Sequence, residues 1–243
     1  MKLYDVKLWL ANKLTDPRVG WMLGAAFRDQ IPFRGLSIDT SSPQVSARVK
    51  AMLFWRLYET GEVMFIHRFL DSSLDVIELG GSIGAISRHV LSRIGPRRLL
   101  TVEANPDLIE AIKNNVGQRA SIAHAALAYD KATVAFGVSA SSLGGALTTM
   151  GTPNERIVEV AAKTLRQLRE EAGFEEYALV CDIEGAEHEL FERETDELRS
   201  CKRIIIELHD TPSRTIHGLA EEIQRGHGFR LLGQRGPVYA FSR

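Results

Sequence analysis

The spacing of apolar positions divides the chain near residue 70. Before that point apolar side chains recur at helical intervals: Leu3, Val6, Leu10 and Leu14, then an apolar run from Trp21 to Phe27, broken by Pro32 and Gly35. Ser42-Pro43 reads as an N-cap and first turn, leading a helix through Val45, Val49, Met52, Leu53 and Leu57, and Thr60-Gly61 punctuates the chain before residues 62–70. From residue 75 short β-rich runs alternate with helical ones. Strands are predicted at 75–79, 98–103, 121–127, 177–182 and 203–208, and helices at 83–93, 106–116, 164–172 and 216–224. A hairpin-like segment falls at 133–138, followed by a Ser/Gly-rich loop at 139–151.

This alternation predicts a mostly parallel α/β sheet with helices on both faces, in a domain at 71–243 preceded by a helical extension or cap at 1–70. The last two strands, 229–232 and 238–241, are joined by only Gly233-Gln234-Arg235-Gly236-Pro237. That link is too short for a parallel crossover and suits an antiparallel hairpin.

Composition narrows the class. The 243 residues are 44% hydrophobic with a formal charge of −1, enough apolar material for a core without staples. No dense Lys/Arg run marks a nucleic-acid surface, and no apolar stretch is long enough to span a bilayer. Cys181 and Cys201 lie in apolar strand patterns and read as buried free thiols. A cytoplasmic protein with a small-molecule or glycan acceptor is the expectation, and the apolar N-terminal segment leaves room for a homodimer.

The chemistry concentrates at strand ends. Strand 75–79 runs into Glu78-Leu79-Gly80-Gly81-Ser82-Ile83-Gly84, and the helix after it carries Ile83, Ile86, Val90 and Ile94 on one face. This strand, glycine turn and helix form the ligand corner of an open α/β sheet. A dinucleotide fingerprint fails in register, because Ser82 and Ala85 stand where glycines belong. Acidic-x-Gly-x-x-x-Gly fits instead, the first motif of class I methyltransferases that use S-adenosylmethionine. A carboxylate there suits a sulfonium or ammonium and would repel a pyrophosphate. About twenty residues on, Glu103 ends the next strand, where an acidic side chain meets ribose hydroxyls. Ala125, Ala126 and Leu127 are placed to line an adenine pocket. Trp55 and Tyr58 read as core, with Glu59 and Glu62 as secondary cofactor candidates.

Two later strands deliver acids and a histidine to the same sheet edge: Asp182-Ile183-Glu184-Gly185-Ala186-Glu187-His188 and Glu207-Leu208-His209-Asp210. Methyl transfer to a hydroxyl needs a base, and Asp182 and His209 are the candidates, with Glu207 beside them. Asp182, Glu184, Glu207 and His209 also have the chemistry of a Mg²⁺ or Mn²⁺ site. The competing account of Glu184 and Glu187 is stabilisation of a helix N-terminus. His188, His217 and His227 read as surface or helix positions.

These segments resemble the FkbM family of S-adenosylmethionine-dependent methyltransferases, from Tyr58-Glu59 through the glycine turn, Val102-Glu103-Ala104-Asn105-Pro106, Thr164-Leu165 and Asp182-Ile183-Glu184-Gly185-Ala186-Glu187 to Ile206-Glu207-Leu208-His209. The resemblance implies a Rossmann-like sheet of seven strands with a final antiparallel hairpin, and O-methylation of sugars, glycans or natural products. It implies that Glu78, Gly80, Gly81, Ser82, Gly84, Glu103, Ala104 and Asp182 hold the cofactor, and that Asp182, Glu184, Glu207 and His209 face the acceptor. Many relatives carry lysine where Cys181 stands. A protein or RNA methyltransferase, or a non-catalytic cofactor-binding module, are the alternatives; a nicotinamide dehydrogenase is disfavoured by the glycine register and final hairpin.

Overall fold

The computed structural model describes residues 12–138, 145–147, 156–212 and 214–243. The expected helical residues Leu3, Val6 and Leu10, and most of the Ser/Gly-rich loop, lie outside them.

Seven strands form the central sheet: β3 (Asp75–Leu79), β4 (Leu99–Glu103), β5 (Ser121–His124), β10 (Tyr177–Cys181), β11 (Cys201–Glu207), β12 (Arg230–Arg235) and β13 (Val238–Ser242). Their order is β12-β13-β11-β10-β3-β4-β5. All neighbours are parallel except the β11–β13 and β12–β13 pairs, so the sheet finishes in the antiparallel hairpin that its short link requires.

The strands are buried on both faces, which is why they read as continuous apolar runs. On one face Ile77, Leu79, Leu179 and Ile204 meet α6 (Leu165–Ala172), α7 (Glu187–Arg193) and α8 (Ile216–Arg225), through Leu168, Phe191 and Ile223. On the other, Val76, Ala178 and Ile205 meet α3 (Thr60–Phe69), α4 (Ala85–Ile94) and α5 (Ile109–Val116), through Ile66, Val90 and Ile112. Both cysteines are buried and free, as expected.

The N-terminal region departs from the helical expectation. After α1 (Pro17–Phe27) comes an antiparallel hairpin of β1 (Gln30–Phe33) and β2 (Leu36–Asp39). Gly35, read as a break in the helical pattern, forms the turn together with Arg34, both at positive φ, 91° and 47°. Helix α2 (Ala47–Phe54) is capped by Ser46, whose hydroxyl accepts from the Val49 N–H, so the cap lies four residues beyond the expected Ser42. Thr60 and Gly61 begin α3 rather than precede it.

This region shares a core with the main sheet's helices: Ile31, Phe33, Val49 and Tyr58 pack with Ile83, Ala85, Leu108 and Ala111. Asn115 fastens it, accepting from the Asp39 N–H at 2.8 Å and donating to the Asp39 and Ile83 carbonyls at 2.9 Å each.

A second sheet, order β6-β9-β7-β8, contains β6 (Ala126–Leu127), β7 (Thr133–Val138), β8 (Gly145–Leu147) and β9 (Arg156–Lys163). Only β7 was anticipated as a separate strand. Phe136, Val138 and Val160 form its core beside Ala126.

Candidate active site

A cavity opens at the carboxyl ends of β3, β4 and β10, with about 880 Å³ of space counted out to its mouth. One wall is carboxylate-rich, with Glu59, Glu103, Asp182 and Glu184; the other is apolar, with Leu108, Ala125, Ala126, Leu127 and Phe136.

The glycine turn shapes its floor. Gly80 has φ +88°, and a Cβ there would lie 1.9 Å from the Asp182 carbonyl oxygen. Only glycine lets the end of β10 come this close. Gly84, at φ +79°, sits against Ile112 and Asn115 as the N-cap of α4, and a Cβ on Gly81 would press on Thr101 and Ile112. Those two glycines serve helix and strand packing, leaving Gly80 and Ser82 to face the cavity.

Glu103 is held by the backbone. Its Oε2 accepts from the Ser82 N–H and its Oε1 from the Asn105 N–H, both at 2.7 Å. Burial raises its pKa while these donors oppose the rise. Glu78 is placed differently from the expectation. Alternation along β3 sends Leu79 to the cavity and Glu78 to the opposite face, where Ser87 and Thr101 donate to its Oε2 at 2.5 and 2.7 Å. Its side chain is 1% exposed, and burial pushes its pKa up to about 7. Of the expected cofactor set, Gly80, Ser82, Glu103, Ala104 and Asp182 line the cavity; Glu78, Gly81 and Gly84 lie behind it.

Sequence reading gave Glu59 too little weight and missed Phe136. Glu59 adopts a left-handed φ of 38° at the start of α3, and its side chain makes no capping bond, so it is free to line the cavity. The hydroxyl of the neighbouring Tyr58 lies 3.1 Å from that of Ser82, tying this corner to the glycine turn. Tyr58 is buried as expected, whereas Trp55 is exposed. Phe136 reaches the site from the second sheet.

At the far end of the carboxylate wall His209 sits among acids. Its Nδ1 lies 3.1 Å from Glu187 Oε1, and its Nε2 lies 3.8, 3.6 and 3.8 Å from carboxylate oxygens of Asp182, Glu184 and Glu207. The Glu187 bond, reinforced by the surrounding negative charge, raises the imidazole to about 9, so it is a cation at neutral pH. Glu187 is fully buried, and its Oε1 also accepts from the Ile183 and Gly185 N–H groups at 3.1 and 3.2 Å. One carboxylate thus orients both the turn after β10 and the imidazole. His188 is a helix residue of α7, as expected, and is buried, with Nε2 3.0 Å from the His209 carbonyl oxygen. His227 is likewise buried, while His217 is exposed.

Asp182 is the least satisfied acid of the wall. Its Oδ1 is buried without a hydrogen-bond partner. Burial, Glu207 and Glu184 push its pKa up to about 7, His209 opposing them. Burial and Glu62 push Glu207 to about 8, and burial and Asp182 push Glu59 to about 8. The four expected metal ligands do not close on one point. Among the described residues, the groups with donor atoms near enough to share an ion are Asp182, Glu187 and His209, and separately Glu59, Glu62 and Glu207.

The sheet order, the final hairpin and a cavity at the glycine turn are those of the class I, Rossmann-like methyltransferase fold. Residues 85–231 match the family model described as Methyltransferase FkbM domain, more than half of the sequence. The chain belongs to the FkbM family of S-adenosylmethionine-dependent methyltransferases.

Among curated proteins it has no match. Similar solved structures include a protein of the NADB-Rossmann superfamily from Streptococcus agalactiae, at 9% identity and TM-score 0.44, over 74% of this chain and 65% of that one, less than two thirds of its length. Precorrin-6y C5,15-methyltransferase from Geobacter metallireducens matches at 11% identity and TM-score 0.44, over 74% and 85% of the two chains. The N-terminal domain of human METTL16, in complex with SAH, matches at 16% identity and TM-score 0.43, over 93% and 82%. No described helix is long and apolar enough to cross a membrane.

Proposed function

We propose that the protein is an O-methyltransferase whose acceptor is a hydroxyl of a sugar, glycan or glycosylated natural product. The observation that carries this is Asp182, a carboxylate of the acidic wall with a buried oxygen that makes no hydrogen bond and lies 3.8 Å from the His209 imidazole.

The cavity suits S-adenosylmethionine. Ala125, Ala126, Leu127 and Phe136 offer an apolar slot for adenine, Glu103 an acceptor for ribose hydroxyls, and Asp182 negative charge for the sulfonium. The cofactor supplies an electrophilic methyl group, so the chain's task is to align the hydroxyl and remove its proton. A neutral alcohol is a poor nucleophile; Asp182, with a pKa near 7, accepts from the hydroxyl and takes the proton as the carbon–oxygen bond forms. His209 is a cation near neutrality and does not act as this base. It holds Asp182, Glu184 and Glu207 around it.

The acidic wall disfavours RNA as acceptor, because a polyanion would meet Glu59, Asp182, Glu184 and Glu207 together. Calorimetric titration with S-adenosylhomocysteine, against NADH, tests the cofactor reading. Micromolar binding of the former alone is expected, weakened roughly 100-fold in Glu103→Ala through loss of hydrogen bonds to a charged group. A screen with radiolabelled methyl donor over saccharide acceptors then tests the acceptor. Transfer to RNA or protein with none to any saccharide overturns that part.

A further inference from the structure

Glu59, Glu62 and Glu207 form a cluster that the methyl-transfer chemistry above does not use. Glu59 and Glu62 stand at the start of α3, and Glu207 ends β11. One carboxylate oxygen from each lies within 4.8 Å of the others. None of the described ion pairs supplies lysine or arginine to them, and the only cation paired with any of the three is His209, whose Nε2 is 3.8 Å from Glu207. The positive end of α3 offers no more than a fraction of one charge.

The second observation comes from Glu62 itself. Its side chain is 5% exposed, yet its Oε1 has no hydrogen-bond partner. A buried carboxylate oxygen without a donor is costly, and native proteins rarely leave one without a ligand. Three carboxylates with no nitrogen or sulfur donor have the chemistry of a hard cation site.

We infer that Glu59, Glu62 and Glu207 bind a divalent cation of the Mg²⁺ or Mn²⁺ type, separate from the His209 cluster. Water completes its coordination. Because Glu59 also lines the cofactor cavity, an acceptor's adjacent hydroxyls can replace those waters, which would orient the sugar toward Asp182. That role rests on the methyltransferase reading; ion binding does not.

The test is Mn²⁺ binding to the full chain after chelator treatment, followed by electron paramagnetic resonance and calorimetry without cofactor or acceptor. One ion per chain is expected, with affinity reduced about tenfold or more in Glu62→Gln and preserved in Glu187→Gln, which alters the His209 cluster. Glu62→Gln keeps the side-chain shape, and a thermal melt checks its fold; Glu207→Gln serves if it does not fold. Absence of binding at millimolar Mn²⁺ overturns the inference. So does an ion lost in Glu187→Gln but kept in Glu62→Gln, which would place it at His209. Titration with S-adenosylhomocysteine on the same samples is read independently, so a protein that binds Mn²⁺ and no nucleoside would sink the methyltransferase reading alone.

Discussion

The two ends of the cavity wall satisfy their acids in opposite ways. Glu103 at the nucleoside end has both oxygens engaged by backbone N–H groups at 2.7 Å. At the acceptor end Asp182, Glu62 and Glu187 each keep a buried oxygen without a partner, and one imidazolium stands among several carboxylates. The backbone fixes the first end before any ligand arrives. At the second, burial and the neighbouring carboxylates push the acids toward neutral pH. On the function proposed above, the first end recognises the cofactor and the second carries the reaction.

Asp182→Asn separates the ends most sharply. Asparagine keeps the shape and cannot take a proton, so kcat should fall about 10³-fold, within the range of roughly 10²–10⁴ for a general base. S-adenosylhomocysteine affinity should change by no more than about threefold. A parallel collapse of affinity would make Asp182 a binding residue and dissolve the distinction.

Gly80→Ala strikes the point where the ends meet. At φ +88° and 1.9 Å from the Asp182 carbonyl, a Cβ forces β3 and β10 apart. The expected cost is about 3 kcal/mol in denaturant unfolding, combining backbone strain with overpacking. Gly236→Ala, at φ +59° with nothing near its Cβ, should lose only about 1 kcal/mol. Equal losses would show that contact with Asp182 is not what demands glycine at position 80.

The sequence made the nucleoside end more legible than the acceptor end. Gly80, Ser82 and Glu103 follow from local pattern, since one strand, one turn and the next strand bring them together. Glu78 misled because a motif does not state which face of a buried strand its acid occupies; pairing with Ser87 and Thr101 decided it. Asp182 and His209 were readable as neighbours because parallel strands end at one edge. Their protonation was not readable, since His209 owes its charge to Glu187, which reads equally well as a first-turn helix acid. Phe136 was invisible because the strand that completes its sheet, β9, was not anticipated. The β1–β2 hairpin was hidden by reading Pro32 and Gly35 as helix breaks, when Pro32 pairs within β1 and Gly35 lies in the turn.

The smallest expected effect is the dependence of stability on pH between 7 and 9, and it belongs to the acceptor end. Histidine ordinarily titrates near 6.5, and His209 at about 9, so the native state holds a proton across this window that the unfolded state has released. Stability from that proton is fully present below about 6.5 and is lost as pH rises through 9. Glu59 and Glu207, raised to about 8, act in the same direction, because the native state resists an ionisation already complete in the unfolded chain. His209 keeps a quarter of its side chain exposed, so solvent screening leaves about 1–2 kcal/mol. That corresponds to a melting temperature lower by roughly 2–8 °C at pH 9 than at pH 7. Glu78, at about 7, is already half ionised where this window opens, so the nucleoside end adds less than His209. His209→Gln should flatten the slope, read by scanning calorimetry in chelator across the two pH values. A wild-type melting temperature unchanged from pH 7 to 9 would mean that His209 is not held as a cation and that both ends are equally neutralised.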